Sequence, residues 1–206
     1  MKLKSRPSSS GRFLLLAVLL LQGCADPKLS PLPLEATVLA FGDSLTLGVG
    51  AAGKDSYPSV LAALGGRRVI NAGVSGETTD LGLARLQQVL PQVNPDLLLL
   101  LEGGNDILRS RNPDDTKNNL AAMVEYAQEQ GVEVVLVGVP DKLLFSDSAS
   151  FYDDVAEQYD LVFDGETLAG LLRSSDYKSD AVHLNSQGYR LLAEAIHELL
   201  IDHGAL

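Results

Sequence analysis

Asp180 and His183 stand three residues apart in Asp180-Ala181-Val182-His183, a spacing that can do chemistry. The carboxylate can hold one imidazole nitrogen while the other faces a nucleophile. A hydroxyl is on offer in Gly42-Asp43-Ser44-Leu45, directly after a short apolar run. A serine at a strand-to-helix turn exposes its hydroxyl and sets the following helix N-terminus near developing negative charge. The same tetrapeptide is also ordinary turn chemistry. It does not complete a G-x-S-x-G elbow, because Thr46 holds the second glycine position. Two more polar segments follow apolar runs: Asn71-Ala72-Gly73-Val74-Ser75-Gly76-Glu77 and Gly103-Gly104-Asn105-Asp106.

The other titratable residues read more blandly. His197 falls inside the last helical pattern and His203 beyond it, and neither follows an aspartate as His183 does. The three histidines show no i, i+4 pairing, so a metal is not expected. Asp114-Asp115 and Asp153-Asp154 read as carboxylates at helix starts, where the dipole favours them. Arg109 and Arg111 read either as surface loop arginines or as contacts for an anionic substrate group.

The elements that must position these residues alternate regularly. Val38–Phe41, Val69-Ile70, Leu97–Leu101, Val132–Val139 and Leu161–Phe163 read as strands. Five consecutive leucines between Pro95 and Gly103-Gly104 fit a strand buried on both faces. Helical patterns span Tyr57–Leu64, Leu83–Leu90 with Pro91 as the stop, Leu120–Ala127, Ser150–Gln158 and Ser186–Leu200. Asp114, Asp115 and Thr116 are the candidate N-caps of the Leu120–Ala127 helix. Alternation of this kind implies a parallel sheet covered by helices on both faces, with ligands beyond the carboxyl ends of the strands. The four polar segments lie at such ends or just before the last helix.

Together, and in this order, the four segments resemble the SGNH hydrolases, the GDSL esterase/lipase family, over roughly Val38 to Leu200. Asn71, Ser75-Gly76, Leu83-Ala84-Arg85-Leu86 and Gly103-Gly104-Asn105-Asp106 are most similar to its bacterial arylesterase and thioesterase/lysophospholipase branch. The resemblance implies a three-layer αβα sandwich on a flavodoxin-like five-stranded parallel sheet, and a carboxylic ester hydrolase without cofactor or metal. It makes Ser44 the nucleophile, His183 the general base and Asp180 its partner. The oxyanion hole would comprise the backbone N–H groups of Ser44 and Gly76 and the side-chain amide of Asn105. Gly76 is preferred to Gly73 because the family's glycine lies in a Ser-Gly-Asp/Glu step. Ala181 and Leu184 depart from the family's usual Asp-Gly-x-His-Pro.

The amino-terminal segment has a different character. Among 206 residues, 27 are acidic and 16 basic, yet Lys2, Lys4, Arg6 and Arg12 open the chain with no acid before Gly23. Without those four, the formal charge moves from −11 to −15. That balance argues against nucleic-acid binding, which needs a basic face. Phe13–Leu21 is apolar but spans only ~14 Å as a helix, short of a ~30 Å bilayer core. Residues 1–23 therefore read as a secretory signal rather than a membrane anchor or buried helix. Leu21-Gln22-Gly23-Cys24 resembles a bacterial lipobox, which implies lipidation of Cys24, the sole cysteine, and attachment to a membrane. Ala25 after it resembles lipoproteins sent on to the outer membrane of Gram-negative cells. Residues 24–35, with Pro27, Pro31 and Pro33, read as the lipidated cysteine and an extended tether. Residues 36–206 form the catalytic domain. The expected substrates are small-molecule or lipid esters. The rival readings are a carbohydrate acetyl esterase on the same fold and a binding lipoprotein without turnover.

Overall fold

A computed structural model of the protein describes Met1, residues 28–141 and residues 147–206. Residues 2–27, with the rest of the signal segment and Cys24, lie outside the described residues. Five strands, β1 (Thr37–Gly42), β2 (Arg68–Gly73), β3 (Leu97–Leu101), β4 (Glu133–Val137) and β5 (Val162–Asp164), pair in the order β2-β1-β3-β4-β5. Every pairing is parallel. Helices α2 (Tyr57–Gly65) and α8 (Ser186–Asp202) pack together in one layer. The other layer holds α3 (Thr79–Val93), α5 (Pro113–Glu129) and α6 (Phe151–Gln158). Three short helices complete the chain: α1 (Ser44–Leu47), α4 (Gly104–Leu108) and α7 (Thr167–Arg173). This is the αβα sandwich expected from the alternation and the family resemblance.

Leucine fills β3 because that strand runs between β1 and β4 with a helical layer on each face, and all five of its residues are buried. Edge strand β2 keeps every residue at least partly exposed, and β5 is only three residues long. At the carboxyl end of β1, a Cβ on Gly42 would lie 1.8 Å from the Leu101 carbonyl oxygen, so only glycine lets β1 and β3 end side by side. The turn carrying Ser44 starts from that close approach.

Two helix ends differ from the sequence expectation. Pro91 does not stop α3, which runs to Val93 and is capped by Asn94 in the left-handed conformation. Proline removes the N–H that would reach the Gln87 carbonyl four residues earlier. The Tyr126 hydroxyl, from α5, donates to that carbonyl at 3.3 Å. Likewise α5 is capped not by Asp114, Asp115 or Thr116 but by Asn112, whose side chain accepts from Asp114 N–H at 3.1 Å. Pro113 then occupies the first helical position, where its missing N–H costs nothing.

The expected free tether is shorter than the proline pattern implied. From Lys28 onward the chain is a strap docked beneath the amino ends of the strands. Lys28 pairs with Asp160 at 2.6 Å, just before β5. Ser30 N–H donates to the Glu133 carboxylate at the start of β4, at 3.0 Å. Leu29 and Leu32 N–H donate to the carbonyls of His203 and Ala205, at 3.0 and 2.8 Å, and both leucine side chains are buried. Prolines at 31 and 33 keep the segment extended, but alternate apolar side chains give it a surface to dock with. Leu34, by contrast, is 72% exposed. Leu32→Ala should lower the unfolding free energy by about 2–5 kcal/mol, whereas Leu34→Ala should change it by less than about 0.5 kcal/mol. Urea unfolding of both variants checks this, and equal small effects would mean that the strap is not part of the core.

Candidate active site

Ser44, Asn105, Asp180 and His183 converge beyond the carboxyl ends of β1 and β3. Ser44 is the first residue of α1 and Asn105 lies in the first turn of α4. His183 Nε2 is 3.0 Å from Ser44 Oγ, and His183 Nδ1 is 2.8 Å from Asp180 Oδ2. The other Asp180 oxygen accepts the N–H groups of Val182 and His183 itself, both at 2.9 Å. Those bonds favour the ionised form. The Asp180 carboxyl is lowered to about 2, first by the His183 hydrogen bond and next by the Val182 N–H.

The loop carrying this pair is tied down from both sides. Ser179 N–H donates to the His183 carbonyl at 3.0 Å, and Lys178 and Leu184 form an antiparallel bridge. Leu184, one of the departures from the family pattern, is fully buried. Asn185 caps α8 by accepting Gly188 N–H at 3.0 Å, while its amide donates to the Asp176 carbonyl at 2.8 Å. Thr46, at the position of the missing elbow glycine, is buried with its hydroxyl 3.2 Å from that of Tyr57.

Gly76 and Gly73 have different surroundings. The Gly73 N–H already donates to Asn71 Oδ1 at 2.9 Å, and the Asn71 amide donates to the Thr46 carbonyl at 2.9 Å. Gly76 takes φ +80°, a left-handed conformation that favours glycine, and its carbonyl accepts from Arg109 at 2.9 Å. Arg111 pairs with Asp80 at 2.9 Å. Both arginines thus tie the segment before α5 to the Gly76 loop and the start of α3.

A layer of buried acids lies under the site, and the sequence assigned it no role. Asp43, Glu77, Glu102 and Asp106 are all buried. Asp43 Oδ1 accepts from Leu45 N–H at 2.9 Å and Oδ2 from the Asn105 amide at 3.2 Å. Asp106 accepts from the backbone N–H and hydroxyl of Thr79, both at 2.9 Å. Glu77 is ion-paired with Arg85, whose guanidinium also donates to the Ala72 carbonyl at 2.9 Å and stacks 3.8 Å from the Phe41 ring centroid. Glu102 accepts only from Gly103 N–H, at 3.2 Å, and its Oε2 has no partner among the described residues. Burial and then the Asp43 charge push its carboxyl well above the usual range. One cue was visible beforehand: a glutamate directly after five leucines must lie where the sheet excludes water.

A cavity of about 550 Å³ opens over Ser44 and His183. Its walls are largely apolar, with Leu45, Ile107, Leu108, Val139, Pro140, Leu172 and Val182, while Asp141, Arg173 and Lys178 contribute charge. A second cavity, about 570 Å³, runs along the β5 edge among Asp147, Asp153, Asp164, Glu166, Glu198 and Asp202 and contains none of the expected site residues. The described residues include no group of three or more His, Cys, Asp or Glu arranged to hold a metal ion.

Residues 40–191 match the model of the GDSL-like lipase/acylhydrolase family. The chain belongs to that family. It is 33% identical to an arylesterase of Vibrio mimicus over 177 residues, 81% of this chain and 88% of that protein. It is 38% identical to esterase TesA of Pseudomonas aeruginosa over 130 residues, 59% of this chain and 63% of that protein. Among solved structures it is similar to AlinE4, an SGNH-hydrolase family esterase, with a TM-score of 0.64 and 32% identity over 81% of this chain and 95% of that one. This GDSL hydrolase is therefore an ester-hydrolysing enzyme with the SGNH fold.

Asp43 gives the site a measurable pH dependence. Burial raises its carboxyl to about 6 from an ordinary 3.8. Between these values the folded chain binds a proton that the unfolded chain has released, so this group's contribution to stability falls as pH rises through the window. Asp43→Asn should flatten the slope of unfolding free energy between about pH 4 and 6, on the order of 3 kcal/mol over the window. An amide also offers one acceptor where two donors, Leu45 N–H and Asn105, must be met, so kcat should fall on the order of tenfold or more. An unchanged slope in urea unfolding at several pH values would show that Asp43 is not buried as a carboxyl group.

Proposed function

We propose that this GDSL hydrolase is an exported, lipid-anchored serine esterase that cleaves acyl or aryl esters, and thioesters or lysophospholipids, through an acyl-enzyme. The observation that carries the reading is the continuous chain Asp180–His183–Ser44, with contacts of 2.8 and 3.0 Å. Ser44 Oγ attacks the ester carbonyl as His183 Nε2 takes its proton. Asp180 holds Nδ1 and balances the imidazolium. His183 then protonates the leaving oxygen, and in the second half it activates water to release the acid.

Negative charge developing on the carbonyl oxygen needs fixed donors. Ser44 N–H, Gly76 N–H and the Asn105 amide fill that role. Gly76 is favoured over Gly73 because the Gly73 N–H is engaged by Asn71. One Asn105 amide hydrogen is held by Asp43, which leaves the other to donate to the carbonyl oxygen as it gains charge. The apolar lining of the 550 Å³ cavity supports acyl or aryl groups larger than acetyl. Export and attachment through Cys24, on the periplasmic side of a bacterial membrane, are supported by the basic start, the short apolar run and the lipobox-like Leu21–Cys24. None of the described helices is long and apolar enough to cross a membrane.

Ser44→Ala should abolish labelling by a fluorophosphonate probe. Persistent labelling would move the nucleophile elsewhere, and an unlabelled wild-type protein would favour a binding lipoprotein. Asn105→Ala should lower kcat by about 10²–10³-fold with a much smaller change in KM, because its contact strengthens in the transition state. An acyl chain-length series decides between substrates: faster turnover of octanoyl than acetyl esters is expected, and the reverse would point to a carbohydrate acetyl esterase.

A further inference from the structure

The cavity over Ser44 contains a cation for which hydrolysis itself has no use. Lys178 lines that cavity together with His183 and is half-buried. Among the described residues its ammonium group has no hydrogen-bonding or ion-pair partner. Arg173, in the same wall, is by contrast paired with Asp147 at 2.9 Å. The Lys178 backbone is firmly placed by its bridge to Leu184 and by the Asn185 amide, which donates to its carbonyl at 3.3 Å. A fixed backbone keeps the side chain at one end of the site.

That end is set by the chemistry. His183 must deliver its proton to the leaving oxygen, so the leaving group lies on the His183 side of Ser44 Oγ. Lys178 belongs to the turn that carries Asp180 and His183, whereas Ile107 and Leu108 belong to α4, on the Asn105 side. The protein also carries a formal charge of −11, and such a field repels an anionic substrate unless a local cation offsets it. We propose that Lys178 is a specificity-determining residue that binds an anionic group, phosphate or carboxylate, on the leaving alcohol of the ester. Asp141 and the nearly buried Asp43 line the same cavity, so the charge of Lys178 is partly offset by theirs. This inference rests on Ser44 and His183 acting as nucleophile and base.

The test uses octanoyl esters of phenol and glycerol, of 3-hydroxybenzoate, and of glycerol 3-phosphate, with phenyl monosuccinate carrying its charge on the acyl end instead. The quantity read is the ratio of kcat/KM for each anionic ester to that of its neutral counterpart. In Lys178→Gln this ratio should fall about tenfold for esters with an anionic alcohol, mainly through KM. Lys178→Arg should restore it to within about threefold, and 0.5 M salt should erode the wild-type preference. A drop confined to the phosphate or to the carboxylate ester identifies which anion is bound. An unchanged ratio in Lys178→Gln overturns the assignment, and a drop seen only with phenyl monosuccinate overturns its placement on the leaving side. If wild-type protein cleaves none of the esters, neutral ones included, the esterase mechanism fails and the assignment falls with it.

Discussion

Asp43 sits where water does not reach, and its two oxygens are met by Leu45 N–H on one side and the Asn105 amide on the other. Those bonds stand in for the hydration lost on burial, so neither donor can move without exposing a poorly solvated carboxylate. One bond fixes the first turn of α1, on which Ser44 rides. The other fixes a side chain in the first turn of α4, just beyond β3, so the turns after two neighbouring strands are joined through a single buried group. The geometry at Ser44 is therefore set from below, by a group that never needs to meet substrate.

The neighbouring acids make this arrangement expensive to build. Burial first, and then the charge of Glu77, raise the Asp43 carboxyl, while Leu45 N–H and the charge of His183 lower it. Asp43 in turn pushes Glu102 up. Arg85 offsets part of the negative charge, held by Glu77, by the Ala72 and Gly42 carbonyls and by the face of Phe41. Glu102, with one oxygen unmatched, is best accommodated as the neutral acid. A catalytic site held by buried polar groups gives up stability for position. The fully apolar β3 beneath it supplies the burial that makes such a layer tolerable.

Much of this is legible in the amino-acid sequence itself. Leu97–Leu101 announces a doubly covered strand by its length and its Pro and Gly flanks. The residues around Ser44, Asn105 and His183 were legible because each follows a strand end or precedes the last helix. Local patterns failed where a distant partner decided the outcome. Pro91 stays helical because Tyr126, 35 residues away, meets the Gln87 carbonyl. Leu29 and Leu32 are core because the last residues of the chain meet them. The walls of the cavity come from segments as far apart as Leu45 and Val182, which no periodicity brings together.

The strap under the sheet has a geometric consequence for how the enzyme faces its surroundings. It crosses the starts of β5 and β4 before entering β1, so Lys28 lies at the end of the sheet opposite Ser44. A pull applied at the strap thus acts on the base of the sheet, while the cavity over Ser44 opens at the other end. A molecule approaching the carboxyl ends of the strands meets that cavity directly, while one at the strap meets only the underside of the sheet.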